Sequence, residues 1–376
     1  MPALANATRK ADPAAASALA PWDGRLTAAH SRVMFTSLSR ADSISAGRQA
    51  TQALLQDATA VDALVVLAFQ AQLRGEAARS DQYFGLVSAF SRRETGANIW
   101  AIEQAVNRGD IAGALYRYDL ALRASNDVSQ ILFPILASAL AEPAVRSALV
   151  NRLVGRPSWK DRFLEFAATK SNNPLATRDF FLAANRSGVP IADVHWAAVV
   201  DGLLRVGMPE EAWKYYRSRF PNARRSESRD PNFAEPSRAR TRFDWLPAET
   251  SEVSAAIIRQ GNSGVLEFAL ASPGGGVVAT QEQLLAPGVY RLDAQTSGFA
   301  QPSLSQPFFK LRCAGGRDLG RIVLSQSSQD RARTTGSFTV PQGCPAQVLT
   351  FEAALVDNPA GSTGYLYSVL LRKVEG

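Results

Sequence analysis

Residues Gly109-Asp110-Ile111-Ala112-Gly113-Ala114-Leu115-Tyr116-Arg117-Tyr118-Asp119-Leu120-Ala121-Leu122 decide how the first half of this chain folds. Ala114, Tyr118 and Ala121 stand four and three apart, so one helix face runs small, large, small. The small residues let a neighbouring helix come close, and Tyr118 fills the gap beside them. Gly109 allows a tight turn without the steric cost of a Cβ. The same opening stands 34 residues earlier as Gly75-Glu76-Ala77. It returns at Gly207-Met208-Pro209, followed by Ala212, Tyr216 and Phe220-Pro221 and preceded by a helix with Trp196, Val199, Val200 and Leu203. A fixed period of this length signals stacked helical hairpins.

The first copy is looser, with Leu64, Leu67, Ala68 and Phe84 in place but Ser80 where alanine is usual. Between residues 125 and 190 the period fades into plain helices, expected at 131–140, 145–154, 161–169 and 176–185. Trp100, Tyr116, Trp159, Phe180 and Trp213 read as packing between helices. The helical half therefore covers residues 1–222. Its opening run, Asp12 to Pro21, reads as the second helix of a pair whose first helix is missing. Either the chain starts with a half repeat, or a segment such as an export signal or inner-membrane anchor lies ahead of Met1. The run from Met1 to Ala20 has no signal-type apolar stretch. No run of 18 apolar residues occurs anywhere in the chain, so it contains no transmembrane helix.

A chain of 376 residues exceeds one ordinary core, and its 46% hydrophobic and 20% charged residues exclude wholesale disorder. The net charge of +7 comes from arginine, because lysine occurs only at 10, 160, 170, 214, 310 and 373. It favours acidic partners such as anionic polysaccharide or lipid head groups. Nucleic acid fits poorly, since no basic stripe with interleaved aromatics is present. Residues 223–242 lack any apolar period and are rich in Arg, Ser and Pro, which reads as a solvated connection. The competing reading is an anion-binding strip of Arg224, Arg225, Arg229, Arg238, Arg240 and Arg242. The apolar signal restarts at Phe243-Asp244-Trp245-Leu246.

From residue 243 to 376 the texture is short β-branched or alternating runs between Gly, Pro and Ser turns. Strands are expected at 254–259, 265–270, 288–294, 308–313, 321–325, 334–340, 347–353 and 365–373. That number in one domain points to a β-sandwich of jelly-roll type. Both cysteines, Cys313 and Cys344, fall here, which favours a disulfide over a metal site needing four ligands. Closing that loop would stabilise the fold by about 3–4 kcal/mol and imply an oxidising compartment; two buried thiols are the alternative.

Catalytic patterns are absent. His30 and His195 lie on helices without a nucleophile motif, and no phosphate-binding glycine loop or zinc motif occurs. Gly274-Gly275-Gly276 after Pro273 reads as a hairpin loop. Glu267, Asp293, Glu352 and Asp357 are acidic residues that a glycosidase could use, but sequence cannot pair them. For binding, Trp245, Phe299, Tyr365 and Tyr367 are candidate rings for stacking on sugars, with Phe308 and Phe309 nearby. Period two requires that either Tyr365 and Tyr367 or Leu366 and Ser368 point outward.

On the Gly109 and Gly207 copies, the helical half resembles tetratricopeptide-like repeats. The run Leu284-Leu285-Ala286-Pro287-Gly288-Val289-Tyr290-Arg291-Leu292 looks like an element of carbohydrate-binding sandwiches. Together these resemble repeat proteins of Gram-negative exopolysaccharide systems. The resemblance implies a non-enzymatic periplasmic or envelope scaffold without cofactor, its repeats holding a protein and its sandwich a polysaccharide. A pure protein–protein adaptor and a carbohydrate-active enzyme are the rival readings.

Overall fold

The computed structural model describes residues 2–37, 40–235, 239–272, 274–298, 306–327, 330–356 and 362–374. It is an α-then-β chain, with fourteen α-helices among the described residues followed by two antiparallel sheets. The chain forms two compact units, residues 1–163 with 186–189, and residues 164–185 with 190–376.

In the first unit the hairpin of α5 (Val61–Leu73) and α6 (Ala77–Phe90) precedes that of α7 (Thr95–Asn107) and α8 (Ile111–Ala124). Gly75 and Gly109 adopt φ of +76° and +69° at the two turns. Each ends its helix with the same pair of backbone hydrogen bonds: Glu76 N–H donates to the Ala71 carbonyl, and Asp110 N–H to that of Ala105. The glycine amides donate to Gln72 and Val106, completing the left-handed cap in which only glycine is free of strain. Ala114, Tyr118 and Ala121 are all buried. Asp119 in the same turn is buried too, accepting from Trp159 Nε1 at 2.8 Å and Arg123 Nε at 2.8 Å. The half-empty N-terminal pair is filled differently than expected: α1 (Pro2–Thr8) precedes α2 (Pro13–Leu19) and packs on it.

The second unit contains the hairpin of α13 (Asp193–Arg205) and α14 (Pro209–Arg219), where Gly207 repeats the cap at φ +75°. The sandwich follows. One sheet holds β1 (Leu246–Pro247), β4 (Gly274–Gln283), β9 (Gln347–Val356), β6 (Phe308–Cys313) and β7 (Asp318–Val323), in that order. The other holds β2 (Val253–Gln260), β3 (Ser263–Leu270), β10 (Ser362–Lys373), β5 (Gly288–Ser297) and β8 (Ala332–Val340). From β3 to β6 and from β7 to β10 the chain switches sheet at every step, the jelly-roll pattern. Between the sheets lie Leu266, Phe268, Leu292, Phe309, Phe351 and Leu371, each at most 1% exposed. The glycines at 274–276 open β4 and pair with β9 across an irregular register, so they are strand and not hairpin loop.

The Arg/Ser/Pro-rich tract belongs to this unit, and the boundary expected near residue 222 falls inside it. Its backbone runs beside β10: Ser228 N–H donates to the Leu371 carbonyl, Val369 N–H to Pro231, and Lys373 N–H to Ser226. Asp230, at φ +46°, accepts the Ala234 amide and turns Phe233 into the sandwich core, its ring 6.1 Å from Trp245. Gly264 permits that approach, because a Cβ there would meet the Phe233 carbonyl at 2.3 Å. Phe243 packs against Trp213 and Tyr216 of α14 at 5.2 and 5.3 Å. Composition suggested a solvated spacer, but these hydrogen bonds and buried rings make the tract part of the fold.

Candidate functional site

The candidate site is the outer face of the sheet formed by β2, β3, β10, β5 and β8. Alternation along β5 sends Tyr290, Leu292 and Ala294 into the core and Arg291, Asp293 and Gln295 outward. On β8 the outward residues include Arg333 and Thr335, and on β10 Leu366, Val369 and Leu371 face inward. Register places Thr335 and Leu370 on either side of Asp293, with Arg291 opposite Arg372.

A β-bulge shapes β10. Leu366 pairs with Thr296 and Ser368 with Gln295, so Tyr367 is the extra residue. Two residues then occupy one outward position, and Tyr367 stays on the face that already carries Tyr365. The bulge lies where β10 changes its neighbour on one side, from β3 up to Leu366 to the tract at 226–231 beyond it. The two tyrosine rings are near-parallel, with centroids 6.5 Å apart and an interplanar angle of 26°. The hydroxyls of Ser297 and Tyr367 hydrogen-bond at 3.0 Å, and the Arg331 guanidinium lies over the Tyr367 ring at 3.8 Å.

Beside this stack, Asp293 gathers cations from three strands. Its Oδ1 accepts from Arg291 at 2.9 Å, Arg333 at 3.0 Å and Thr335 at 2.9 Å, while Arg372 stands 4.0 Å from Oδ2. Burial pushes the Asp293 carboxyl up, but the hydrogen bonds from Arg291, Thr335 and Arg333 outweigh it and hold the group below the ordinary carboxylate range. The arginines remain 43% to 60% exposed while the aspartate is 12% exposed. The face therefore presents flat rings next to guanidinium groups in excess over carboxylate.

The other sequence candidates fall elsewhere. Trp245 is fully buried in the sandwich core, where its Nε1 has no hydrogen-bond partner among the described residues, so it is closed to any sugar. Phe299, Arg238 and Asp357 lie outside the described residues. Arg225 is clamped by Glu210 through two bonds of 2.9 and 2.6 Å. Arg229 donates to the Tyr216 hydroxyl and to Glu235, and Arg242 pairs with Glu282. Arg224 reaches Glu227 only at 3.9 Å, and Arg240 is half-buried near Asp230. The proposed strip is thus largely internal ion pairs. Glu352 accepts from Thr350 on the other sheet. Glu267 pairs with Tyr365 while Asp293 lies two strands across and four residues along, about 16 Å away by strand geometry, too far for a glycosidase pair. His30 and His195 are half-buried on α3 (Gly24–Thr36) and α13. Cys313 and Cys344 form the disulfide, with Cα atoms 5.5 Å apart. No group of three or more metal-ligating side chains occurs among the described residues. A cleft of about 560 Å³ near the disulfide is lined by Leu284, Pro287, Tyr290, Cys344, Arg225 and Lys373.

Arg291, Arg331, Arg333 and Arg372 escaped the sequence reading because they are scattered in the chain and meet only through register. Alternation around Asp293 was the one available signal.

No protein-family model matches the chain. No curated protein matches it either. Among solved structures, the sandwich is similar to carbohydrate-binding modules. TmCBM61 in complex with β-1,4-galactotriose is 17% identical over 40% of this chain and all of that one, with a TM-score of 0.30. The CBM22-1 xylan-binding domain from Paenibacillus barcinonensis Xyn10C is 14% identical, over 39% of this chain and 93% of its own, with a TM-score of 0.28. The enzymatically active domain of bacteriophage CBA120 tailspike protein 4 is 10% identical over 35% of this chain and only 19% of its own length, with a TM-score of 0.26. Likenesses at this level carry no function across, and the chemistry of the site lies in its own residues.

Proposed function

We propose that this protein is a non-catalytic scaffold of an oxidising compartment, the periplasm or cell envelope, that assists polysaccharide assembly or secretion. The sandwich holds glycan on the outer face of its second sheet, and the helical half holds a protein partner. The observation that carries the reading is the Tyr365–Tyr367 pair, kept outward by a bulge beside exposed arginines. Apolar sugar faces stack on aromatic rings, and fixed side chains on strands lose little entropy when they do so. The disulfide supports the compartment, since such bonds persist where thiols are not kept reduced. Among the described residues no helix is long and apolar enough to cross a membrane. For the partner, α9 (Ser129–Ser138) presents Ile131 and Ile135 one turn apart, 59% and 53% exposed.

Affinity electrophoresis of the whole chain against a panel of neutral and acidic polysaccharides tests the glycan half. Retardation by at least one polymer, lost in Tyr365→Ala, is expected. Unchanged mobility in every gel would remove glycan binding and leave the adaptor reading.

A further inference from the structure

We infer that this face selects polymers of uronic acids, with Tyr365 carrying the sugar ring and Arg331 and Arg333 taking its carboxylates. The inference rests on the glycan reading above and narrows its ligand.

The arginines of the 223–242 tract and those of the sheet face are held differently. Those of the 223–242 tract are spent on internal partners, as with Arg225 on Glu210 and Arg242 on Glu282. On the sheet face, the guanidinium groups of Arg291, Arg333 and Arg372 gather around Asp293, and that of Arg331 lies over the neighbouring Tyr367 ring. Glu267 faces Tyr365 from β3, on the far side from β8 and its arginines. Arg331 makes no ion pair among the described residues, and its guanidinium carbon sits 3.8 Å from the centre of the Tyr367 ring. Stacking of that kind leaves the N–H edges of a guanidinium pointing outward, in the fork geometry that fits a planar carboxylate.

Each element has a separate task. Arg331 caps one side of the Tyr367 ring, so the neighbouring Tyr365 is the ring on which a pyranose rests. Asp293 anchors Arg333 and Arg291, which fixes their heads before any ligand arrives and limits the entropy lost on binding. A carboxylate on C5 of the sugar then meets a preset cationic edge. Neutral sugars would stack equally well but would leave the excess charge facing water. Single-stranded nucleic acid is also anionic and stacks on tyrosine, so an oligonucleotide belongs among the probes.

The test uses the full chain and three probes: polygalacturonate, the same polymer with its carboxyls reduced to alcohols, and a single-stranded dT oligonucleotide. Calorimetry should show binding to polygalacturonate, about tenfold weaker binding to the reduced polymer, and an affinity for the acid form that falls with salt. Arg331→Gln with Arg333→Gln should bring the acid polymer down to the level of the reduced one. Both side chains are exposed, and an unchanged melting temperature certifies the fold. Equal affinity for the two polymers overturns acid selection while the glycan reading stands. Tighter binding to the oligonucleotide overturns it in favour of nucleic acid. Silence towards both polymers overturns it as well, and the wider panel then judges the glycan reading separately.

Discussion

The Tyr216 hydroxyl donates to Asp244 Oδ1 at 2.7 Å, tying the last helix to the segment that leads into the sandwich. The same hydroxyl accepts from Arg229 Nε at 2.7 Å, so one buried phenol joins α14 to both ends of the arginine-rich tract. Desolvation, with the negative Asp244 close by, pushes its pKa well above that of a free tyrosine, and the group stays protonated and donating.

Tyr216→Phe should therefore cost about 1–3 kcal/mol in urea unfolding, because two charged groups lose a buried partner. Trypsin supplies an independent check. Arg229 and Arg242 should be spared in the native protein and cut in Tyr216→Phe, whereas a solvated spacer would be cut in both.

Replacing Cys313 and Cys344 together by alanine releases a loop spanning 31 residues. Chain entropy sets the expected loss at about 3–4 kcal/mol, read as a lower melting temperature. Wild-type protein in reducing agent should melt with the double variant, and a difference between the two would mean that the alanines disturb packing of their own.

Glycines in the helical half should answer oppositely to alanine. Gly109→Ala places a Cβ at φ +69° and should destabilise by about 1 kcal/mol. Gly85, inside α6 with open space where a Cβ would go, should gain about 0.5–1 kcal/mol from the same change. Thermal melts of the two variants decide the matter by their signs.

Asp293 sets a pH signature. Its folded pKa is lowered, so its contribution to stability is present above the ordinary carboxylate value near 3.9 and is lost as pH falls through the folded one. Asp293→Asn should melt below wild type at pH 7, and the gap should close as the pH falls below the ordinary carboxylate range. A gap that stays constant with pH would disconnect the carboxylate's charge from the fold.

How much of this was legible in the sequence varied with the range of the interaction involved. Gly75, Gly109 and Gly207 could be read because a helix cap is local: the glycine and its bonded carbonyls lie within five residues. The jelly-roll texture was legible for the same reason, although β1 and β4 were missed, one for its two-residue length and the other for its glycines. Trp245 and Tyr365 looked alike as isolated aromatics; burial separated them, and burial depends on which strands meet. The Tyr367 bulge arises where β10 changes neighbour, and nothing within the strand announces it. The 223–242 tract misled because composition reports side chains, while its attachment to β10 is made by the backbone.

That attachment has a consequence for how the molecule guards itself. Without residues 226–231, the N–H and C=O groups of β10 from Val369 to Lys373 would form a bare strand margin beside Leu370. Exposed margins of that kind recruit strands from other molecules. A fragment trimmed at residue 243 would thus carry an adhesive seam, and the polar stretch that looks expendable is what keeps neighbouring copies from zipping together.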